Sequence, residues 1–317
     1  MTLAKVELGR RLFYDTRLSG NDTYACSSCH EQSRAFTDGL PQAVGSTGAR
    51  HPRSAMSLTN VAYNVAFGWA DPMDHSLESQ IAVPMFNEHP IELGLKGRET
   101  EVVTRFGSDT DREWFQAAFP SDTTPVTLSN IVKAIAAFER TLVSGDAPLD
   151  RYLYRDDRSA LSAAALRGMS LFFSERLRCT ECHNGFNLSG AVTFVAAPEP
   201  LLVFHNTGLY NVDGRGGYPA GDRGVIDVTK RAKDMGRFRA PTLRNIAVTA
   251  PYMHDGSIPT LEAAISHYAS GGVKSPFKSD RVRAFAITDG ERSDVVEFLK
   301  ALTDDTFLKD PSLAKPQ

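Results

Sequence analysis

Cys26-Ser27-Ser28-Cys29-His30 decides how this sequence reads, and Cys179-Thr180-Glu181-Cys182-His183 repeats it in the second half. A Cys-x-x-Cys-His run can link a haem through both sulfurs and offer its histidine to the iron. The chain has four cysteines, and the two runs use all of them. A single run would leave zinc and dithiol redox sites open, because Cys-x-x-Cys alone serves both. Two copies, each followed at once by histidine, point elsewhere. A zinc site needs a plausible four-ligand set, and a dithiol site usually sits in a thioredoxin-like βαβ pattern. Two covalently bound haems c are expected, one held by Cys26, Cys29 and His30, the other by Cys179, Cys182 and His183.

At 317 residues the chain is long enough for two ordinary domains, with one motif in each half. Gly145-Asp146-Ala147-Pro148 marks the expected boundary, giving an N-terminal haem c domain at 1–146 and a C-terminal one at 147–317. A net charge of −3, a pI near 6.3 and the absence of a basic tail argue against a nucleic-acid binder. No apolar run approaches the roughly 18 residues of a membrane span. No signal peptide is recognisable, yet bacterial thioether attachment of haem takes place outside the cytoplasmic membrane. A periplasmic location, with Met1 as a processed or trimmed start, is the expectation from chemistry.

Val6, Arg10 and Phe13, with Leu8 and Leu12, give a helical stripe that stops near Asp15, just ahead of the first motif. Pro41, Gly45, Gly48 and Pro52 make 39–52 a loop, expected over one haem face. Ser76 caps a helix through Leu77 and Ile81 that Pro84 should end, and another helix is expected from about Asp109 to Phe119. Ile131, Ala134, Ile135, Phe138 and Leu142 mark a helix after Thr127. In the second half Ser162 caps a helix with Leu166, Met169 and Phe173 on one face, so both halves run helix, then haem motif. The glycine-rich stretch 208–236 exceeds an ordinary connection and is expected near the haem or the domain interface. Two helices close the chain: one through Leu261, Ile265 and Tyr268 to Gly271-Gly272, the other opening on the capping box Thr288 to Glu291 and carrying Val295, Leu299 and Leu302. Strand-like runs such as Leu201 to Phe204 are short. The expected fold is mainly α: two cytochrome c-like haem domains with few short strands.

Ala240-Pro241-Thr242-Leu243-Arg244-Asn245 leads to Pro251-Tyr252-Met253-His254-Asp255-Gly256, and Leu8-Gly9-Arg10-Arg11-Leu12-Phe13-Tyr14-Asp15 opens the chain. With the two haem motifs, these segments resemble the bacterial di-haem cytochrome c peroxidases and their relative MauG, over nearly the whole chain. Within that superfamily, Ala82-Val83-Pro84-Met85-Phe86 and Phe204-His205-Asn206-Thr207-Gly208-Leu209-Tyr210 look most like the MbnH-like di-haem enzymes of methanobactin operons.

The resemblance implies what fills the second axial position of each iron. Where the peroxidases carry a loop histidine that closes the first haem, this chain has Ser46, a poor iron ligand, so that haem should stay open to peroxide. His51, five residues on, is the alternative. Tyr268, 17 residues after Pro251, stands where the peroxidases place a methionine and MauG a tyrosine. A phenolate is a hard anionic ligand that favours high-valent iron, whereas a thioether favours Fe(II). Without the resemblance, Tyr268 would read as core, since it continues the stripe of Leu261 and Ile265; His267 faces another side, and Met235 and Met253 are fallback ligands.

Trp69, 39 residues after His30, matches the tryptophan between the two haems, although one of two tryptophans can equally be core packing. Gln80 and Glu92 match the polar pair above the peroxide-binding haem. Heterolysis of the O–O bond needs a proton carried from the inner to the outer oxygen, the task of a partly buried carboxylate of raised pKa. Glu92 is the candidate, a solvated surface glutamate the alternative and His89 the rival. A calcium ion is implied between the haems at Ser54, Thr249 and Pro251, with Ser54 departing from the family's asparagine. His205 resembles a histidine near the second haem of MauG. Hydrogen peroxide is the implied oxidant. The leading reading is MauG-like oxidation of a residue on a protein substrate encoded nearby, a tryptophan towards kynurenine. Beside it stand a peroxidase fed by a small cytochrome or cupredoxin, and a plain electron carrier.

Overall fold

The computed structural model describes residues 1–73, 75–195 and 203–317. Helix α1 (Leu3–Phe13) begins where the Thr2 hydroxyl accepts from the Lys5 amide, and it buries Leu8, Leu12 and Phe13. It crosses α5 (Leu128–Glu139), which Thr127 caps and whose Ile131, Ala134, Ile135 and Phe138 are buried. Helices α2 (Leu77–Phe86), α3 (Glu99–Arg105) and α4 (Asp109–Ala118) complete this half. Pro84 lies inside α2 rather than ending it. Near a C-terminus proline forfeits only one hydrogen bond, and Leu93 N–H recovers a carbonyl there by donating to Pro84 O at 2.9 Å.

The second half repeats the plan. After α6 (Pro148–Tyr154), helix α7 (Ala163–Phe172), capped by Ser162, crosses α10 (Asp289–Lys300), whose Thr288–Glu291 capping box forms as expected. Helices α8 (Ile226–Thr229) and α9 (Leu261–Ala269) lie between, and α11 (Asp305–Lys309) ends the chain. The buried face of α7 is Ala165, Gly168 and Phe172, while Phe173 is half exposed. The expected face is thus rotated by one residue, because the crossing is built around Gly168. The only strands among the described residues are β1 (Phe204–His205) and β2 (Phe238–Arg239), paired antiparallel. Leu201 and Leu202 of the expected strand lie outside the described residues.

One glycine sets each helix crossing. A methyl group at Gly9 would stand 1.8 Å from the Ala134 carbonyl oxygen, and one at Gly168 would stand 1.9 Å from that of Asp294. The helix ahead of each haem motif therefore touches its partner backbone to backbone, and the motif leaves that crossing at a fixed height.

Two apolar clusters hold the halves. The first gathers Leu12, Phe13, Phe36, Ile81, Met85, Ile135 and Phe138, and takes in Phe307, Leu308 and Leu313 from the chain's end. The second gathers Phe172, Leu261, Ile265, Val295 and Phe298. A small third cluster of Ala70, Tyr218, Val225 and Phe238 packs with Trp69 and Tyr210.

Gly9→Ala is expected to destabilise the protein by about 1–3 kcal/mol. Gly290→Ala, whose methyl group meets nothing within 4 Å, should shift stability by less than about 0.5 kcal/mol. Thermal unfolding followed by far-UV circular dichroism checks the pair.

Candidate active site

Both Cys-His runs fold into the same object. Cys26–Ser28 and Cys179–Glu181 are short 3-10 turns, after which the amides of His30 and His183 donate to the carbonyls of Cys26 and Cys179 at 3.1 and 2.9 Å. Nδ1 of His30 lies 2.7 Å from Phe36 O, and Nδ1 of His183 lies 3.0 Å from Leu188 O. A hydrogen bond at Nδ1 fixes the tautomer and leaves Nε2 free for iron. All four cysteines are free of disulfides. The donor set therefore fits two thioether-linked haems.

A cavity of about 680 Å³ opens beside the first turn, lined by Cys26, Cys29, His30, Trp69, Gln80 and Glu92 among others. The structure thus brings the three candidate catalytic residues together. The loop 43–53 forms a tight hairpin, with Gly45 N–H donating to Ala49 O at 2.8 Å and His51 N–H to Ala43 O at 2.8 Å. Ser46 is not among the residues that line the cavity. Its amide donates to Glu92 O at 2.7 Å and its hydroxyl to Leu93 O at 3.4 Å. Gly45 is needed because a Cβ there would stand 2.0 Å from Ile91 O. The loop therefore grips the backbone that carries Glu92. His51 lines the cavity, its Nδ1 accepting from Arg53 N–H at 3.1 Å, and burial lowers its pKa. His89 lies at the exposed rim.

Electrostatics separates the groups in this cavity. Burial pushes the Glu92 carboxyl up to about 7. Glu139, at the last turn of α5, is 7% exposed, lines the same cavity and is pushed by burial to about 8. Arg239, 5% exposed, comes from β2 in the other half, and burial lowers its pKa to about 10. Its Nε has no partner, while Nη2 reaches only Met56 Sδ and Phe67 O. A buried, part-satisfied guanidinium facing this cavity fits an anionic group such as a haem propionate. Glu139 had a signal in the sequence, a carboxylate beside the apolar stripe of α5. Arg239 had none.

The stretch 208–236 completes the same wall with Gly221, Arg223, Gly224 and Val228. Trp69 donates its indole N–H to Ser54 O at 2.8 Å, and its carbonyl accepts from Arg239 N–H at 2.7 Å. Its ring lies 6.5 Å from that of His254, which stacks on Phe238 at 3.5 Å. The Arg53–Asp222–His254 chain behind it, with contacts of 2.7 and 3.1 Å, was missed by the sequence reading.

At the second turn, Tyr268 is held away from ionisation by burial first, then by the neighbouring Cys182 and Cys179. His267 is tied to Thr207 O at 3.1 Å, and Met235 packs in the third cluster. His205 is buried, with Nδ1 3.5 Å from Cys182 Sγ. Ser54 Oγ lies 3.4 Å from the carbonyl oxygens of both Met253 and His254, and the Thr249 hydroxyl donates to Ile246 O. Among the described residues no three His, Cys, Asp or Glu side chains converge on a metal position. Neutral donors at Ser54, Thr249 and Pro251 fit calcium only with water as the main ligand.

Two such turns in a mainly helical chain define a di-haem c-type protein. The di-haem cytochrome c peroxidase family profile matches residues 3–158, and a RoxA-like cytochrome c-like profile matches 237–268. MauG of Methylorubrum extorquens is 34% identical over 304 residues, covering 95% of this chain and 79% of its own. Cytochrome c551 peroxidase of Pseudomonas aeruginosa is 34% identical over 265 residues, covering 82% and 70%. The crystal structure of a MauG-like protein associated with microbial copper homeostasis matches with a TM-score of 0.96 at 44% identity, covering 100% of this chain and 94% of that one. The chain belongs to the di-haem cytochrome c peroxidase and MauG family and is a peroxidase-type oxidoreductase with two covalent haems c. No helix among the described residues is long and apolar enough to cross a membrane.

Glu139 holds its proton more tightly folded than unfolded. Stability should therefore be greatest below the ordinary carboxylate range, decline as pH rises towards about 8 and level off above it. Glu139→Gln is expected to flatten that decline in the Tm of the holoprotein across the same window. Equal slopes in both proteins would refute a neutral buried carboxyl.

Proposed function

We propose that this protein uses hydrogen peroxide at the first cavity, and that the reaction its relatives support best is peroxide reduction with electrons from a small cytochrome or cupredoxin. Several of those relatives are cytochrome c peroxidases, so peroxidase activity is better attested than oxidation of a partner protein. The observation that carries the reading is a carboxyl of raised pKa and a free amide, Glu92 and Gln80, in the cavity that holds Cys26, Cys29 and His30. Haem iron, when bound, supplies the electrons and the Lewis acidity for O–O cleavage.

The chain's own residues handle the rest. Gln80 orients peroxide by hydrogen bonding. Ionised Glu92 takes the proton of the inner oxygen and returns it to the outer one, which leaves as water. Hydrogen peroxide needs two protons and two electrons to leave as two waters. Glu92 only moves peroxide's own proton, so protonated Glu139 within the same walls supplies one of the two and solvent the other. Ser46, turned to Leu93, supplies no ligand to the distal face, and His51, which lines the cavity, is tied to Arg53 N–H through its Nδ1.

Tyr268 favours a second reading. Its phenol stands beside Cys179 and Cys182, and the competing His267 is bound elsewhere. We assign it as the ligand of the second iron, where an anionic phenolate suits storage of oxidising equivalents. Trp69 then relays them, and a residue on a partner protein, a tryptophan towards kynurenine, is oxidised. MauG and the copper-associated MauG-like protein are the relatives that fit this reading, and the MbnH-like branch belongs with it. Calcium at Ser54, Thr249 and Pro251, and a periplasmic location, accompany both readings.

Because Glu92 must be ionised to accept a proton, kcat/KM for peroxide is expected to rise with pH through about 7. Glu92→Gln should abolish that rise and lower kcat/KM by about 10²–10⁴-fold.

To separate the readings, holoenzyme and peroxide are mixed either with a reduced small cytochrome or with the protein encoded beside it. Stoichiometric cytochrome oxidation and a partner of unchanged peptide mass are the expected results. An oxygen-adduct mass on a partner tryptophan, without cytochrome turnover, would overturn the first reading in favour of the second.

A further inference from the structure

Behind Trp69, away from the first cavity, aromatic rings continue to the surface. Trp69 lies 6.5 Å from His254, His254 6.3 Å from Tyr218, and Tyr218 5.5 Å from Tyr210, all centroid to centroid. Tyr218 also neighbours Tyr268 at the second haem motif. The series ends at Tyr210, half-buried, one residue before a surface turn in which Val212 is exposed. Its hydroxyl donates to Asp255 Oδ2 at 2.5 Å.

That hydrogen bond sets Tyr210 apart. A tyrosine gives up an electron readily only if its hydroxyl proton leaves at the same time, because the protonated radical cation is a very strong acid. Tyr218 donates to the amide oxygen of Asn206 at 3.0 Å, Tyr252 to Ile246 O at 3.2 Å and Tyr14 to Leu313 O at 2.8 Å. Amide oxygens are too weakly basic to take that proton. Of these tyrosine hydroxyls, Tyr210 alone donates to a carboxylate. Asp255 is itself held in place, its Oδ1 accepting from Ser257 N–H at 3.1 Å. Burial and the Asp255 hydrogen bond raise the pKa of Tyr210, so it rests as a protonated phenol.

We infer that Tyr210 and Asp255 form a proton-coupled redox site, where an oxidising equivalent leaving the di-haem centre comes to rest as a neutral tyrosyl radical. The inference rests on the reading that peroxide oxidises this protein. Hydrogen peroxide takes two electrons, and two protons from Glu139 and solvent on the cavity side, and leaves as two waters. One electron comes from the Tyr210 ring, and the other remains as a deficit at the haems. As the ring is oxidised its O–H bond breaks, and the proton forms a new O–H bond on Asp255 Oδ2. Tyr218, whose hydroxyl faces only the Asn206 amide oxygen, bridges the electron's passage inward without itself being oxidised. In the absence of a reductant, the radical forms where solvent and a partner protein can reach it.

The test treats ferric holoprotein with one equivalent of hydrogen peroxide, without donor or partner, and follows haem absorption together with freeze-quench EPR. Protein grown on ring-deuterated tyrosine is run in parallel. The expected result is a haem response accompanied by a radical signal that narrows on tyrosine deuteration. Tyr210→Phe should lose that signal. Asp255→Asn should lose it too, with haem absorption intact in both variants. Asparagine still accepts the Tyr210 hydrogen bond but cannot take its proton, so a purely structural role would leave the signal unchanged in Asp255→Asn. A haem response without a tyrosyl signal overturns the inference alone. So does a signal that survives Tyr210→Phe or is unchanged in Asp255→Asn. Haem absorption that ignores peroxide overturns the underlying reading and this inference with it.

Discussion

The carboxylate of Asp304 ties the chain's crossing point to its end. One oxygen accepts from the Ser144 hydroxyl at 3.0 Å and from the amides of Gly145 and Asp146 at 3.0 and 2.9 Å. The other accepts from Thr306 and from Phe307 N–H. Burial works against that charge, yet the donors prevail and hold its pKa below the usual carboxylate range. Asn245 Oδ1 accepts the Asp304 amide at 2.7 Å, and Asn60 brackets the Ser144 backbone with bonds of 2.9 and 3.0 Å. Behind this seam Arg244 and Asp150 form a buried two-pronged pair at 2.7 and 2.8 Å. Removing one partner of such a pair costs about 3–5 kcal/mol. So satisfied a seam has one arrangement, and the two Cys-His turns consequently have one separation.

That constraint matters because the first cavity is not built by one half. Arg239, Gly221 and Arg223 reach it from the second half, and Trp69 is held from both sides, by Ser54 and by Arg239 N–H. Peroxide would meet a site that exists only when the seam is closed. The 43–53 hairpin adds the remaining wall and fixes Glu92 through Ser46 N–H. A loop read for its side chain at 46 turns out to act mainly through its backbone.

What the sequence revealed follows from how local each signal was. The Cys-x-x-Cys-His turns, the Thr127, Ser162 and Thr288 caps and the apolar stripe of α5 depend on residues within a few positions, and all were readable. Pro84 and Phe173 were misread because their outcome depends on distant partners: the carbonyl recovered by Leu93, and the Gly168 contact with Asp294. Glu92, Gln80 and Trp69 came from resemblance to a family rather than from pattern. Arg239, Asp222 and Asp304 acquire meaning only from groups far away in sequence, so nothing near them announced it.

On the proposed reaction, proton and electron traffic would part company at Trp69. On the cavity side stand the two carboxyls of raised pKa, Glu92 and Glu139, able to give and take protons at neutral pH. Trp69 itself is bonded to a backbone carbonyl, which cannot accept its proton, so as the proposed relay the indole would keep its N–H. In the proposed reaction, protons needed for O–O cleavage would therefore stay in the cavity, while electrons would cross the seam through the ring. A conventional peroxidase and a protein-oxidising enzyme both require that division. They differ in what lies beyond it, a donor that refills the haems at once or a delay long enough for a slower substrate to be reached. The proposed phenolate ligand at Tyr268 would lengthen that delay, because it would stabilise the oxidised iron that a thioether would disfavour.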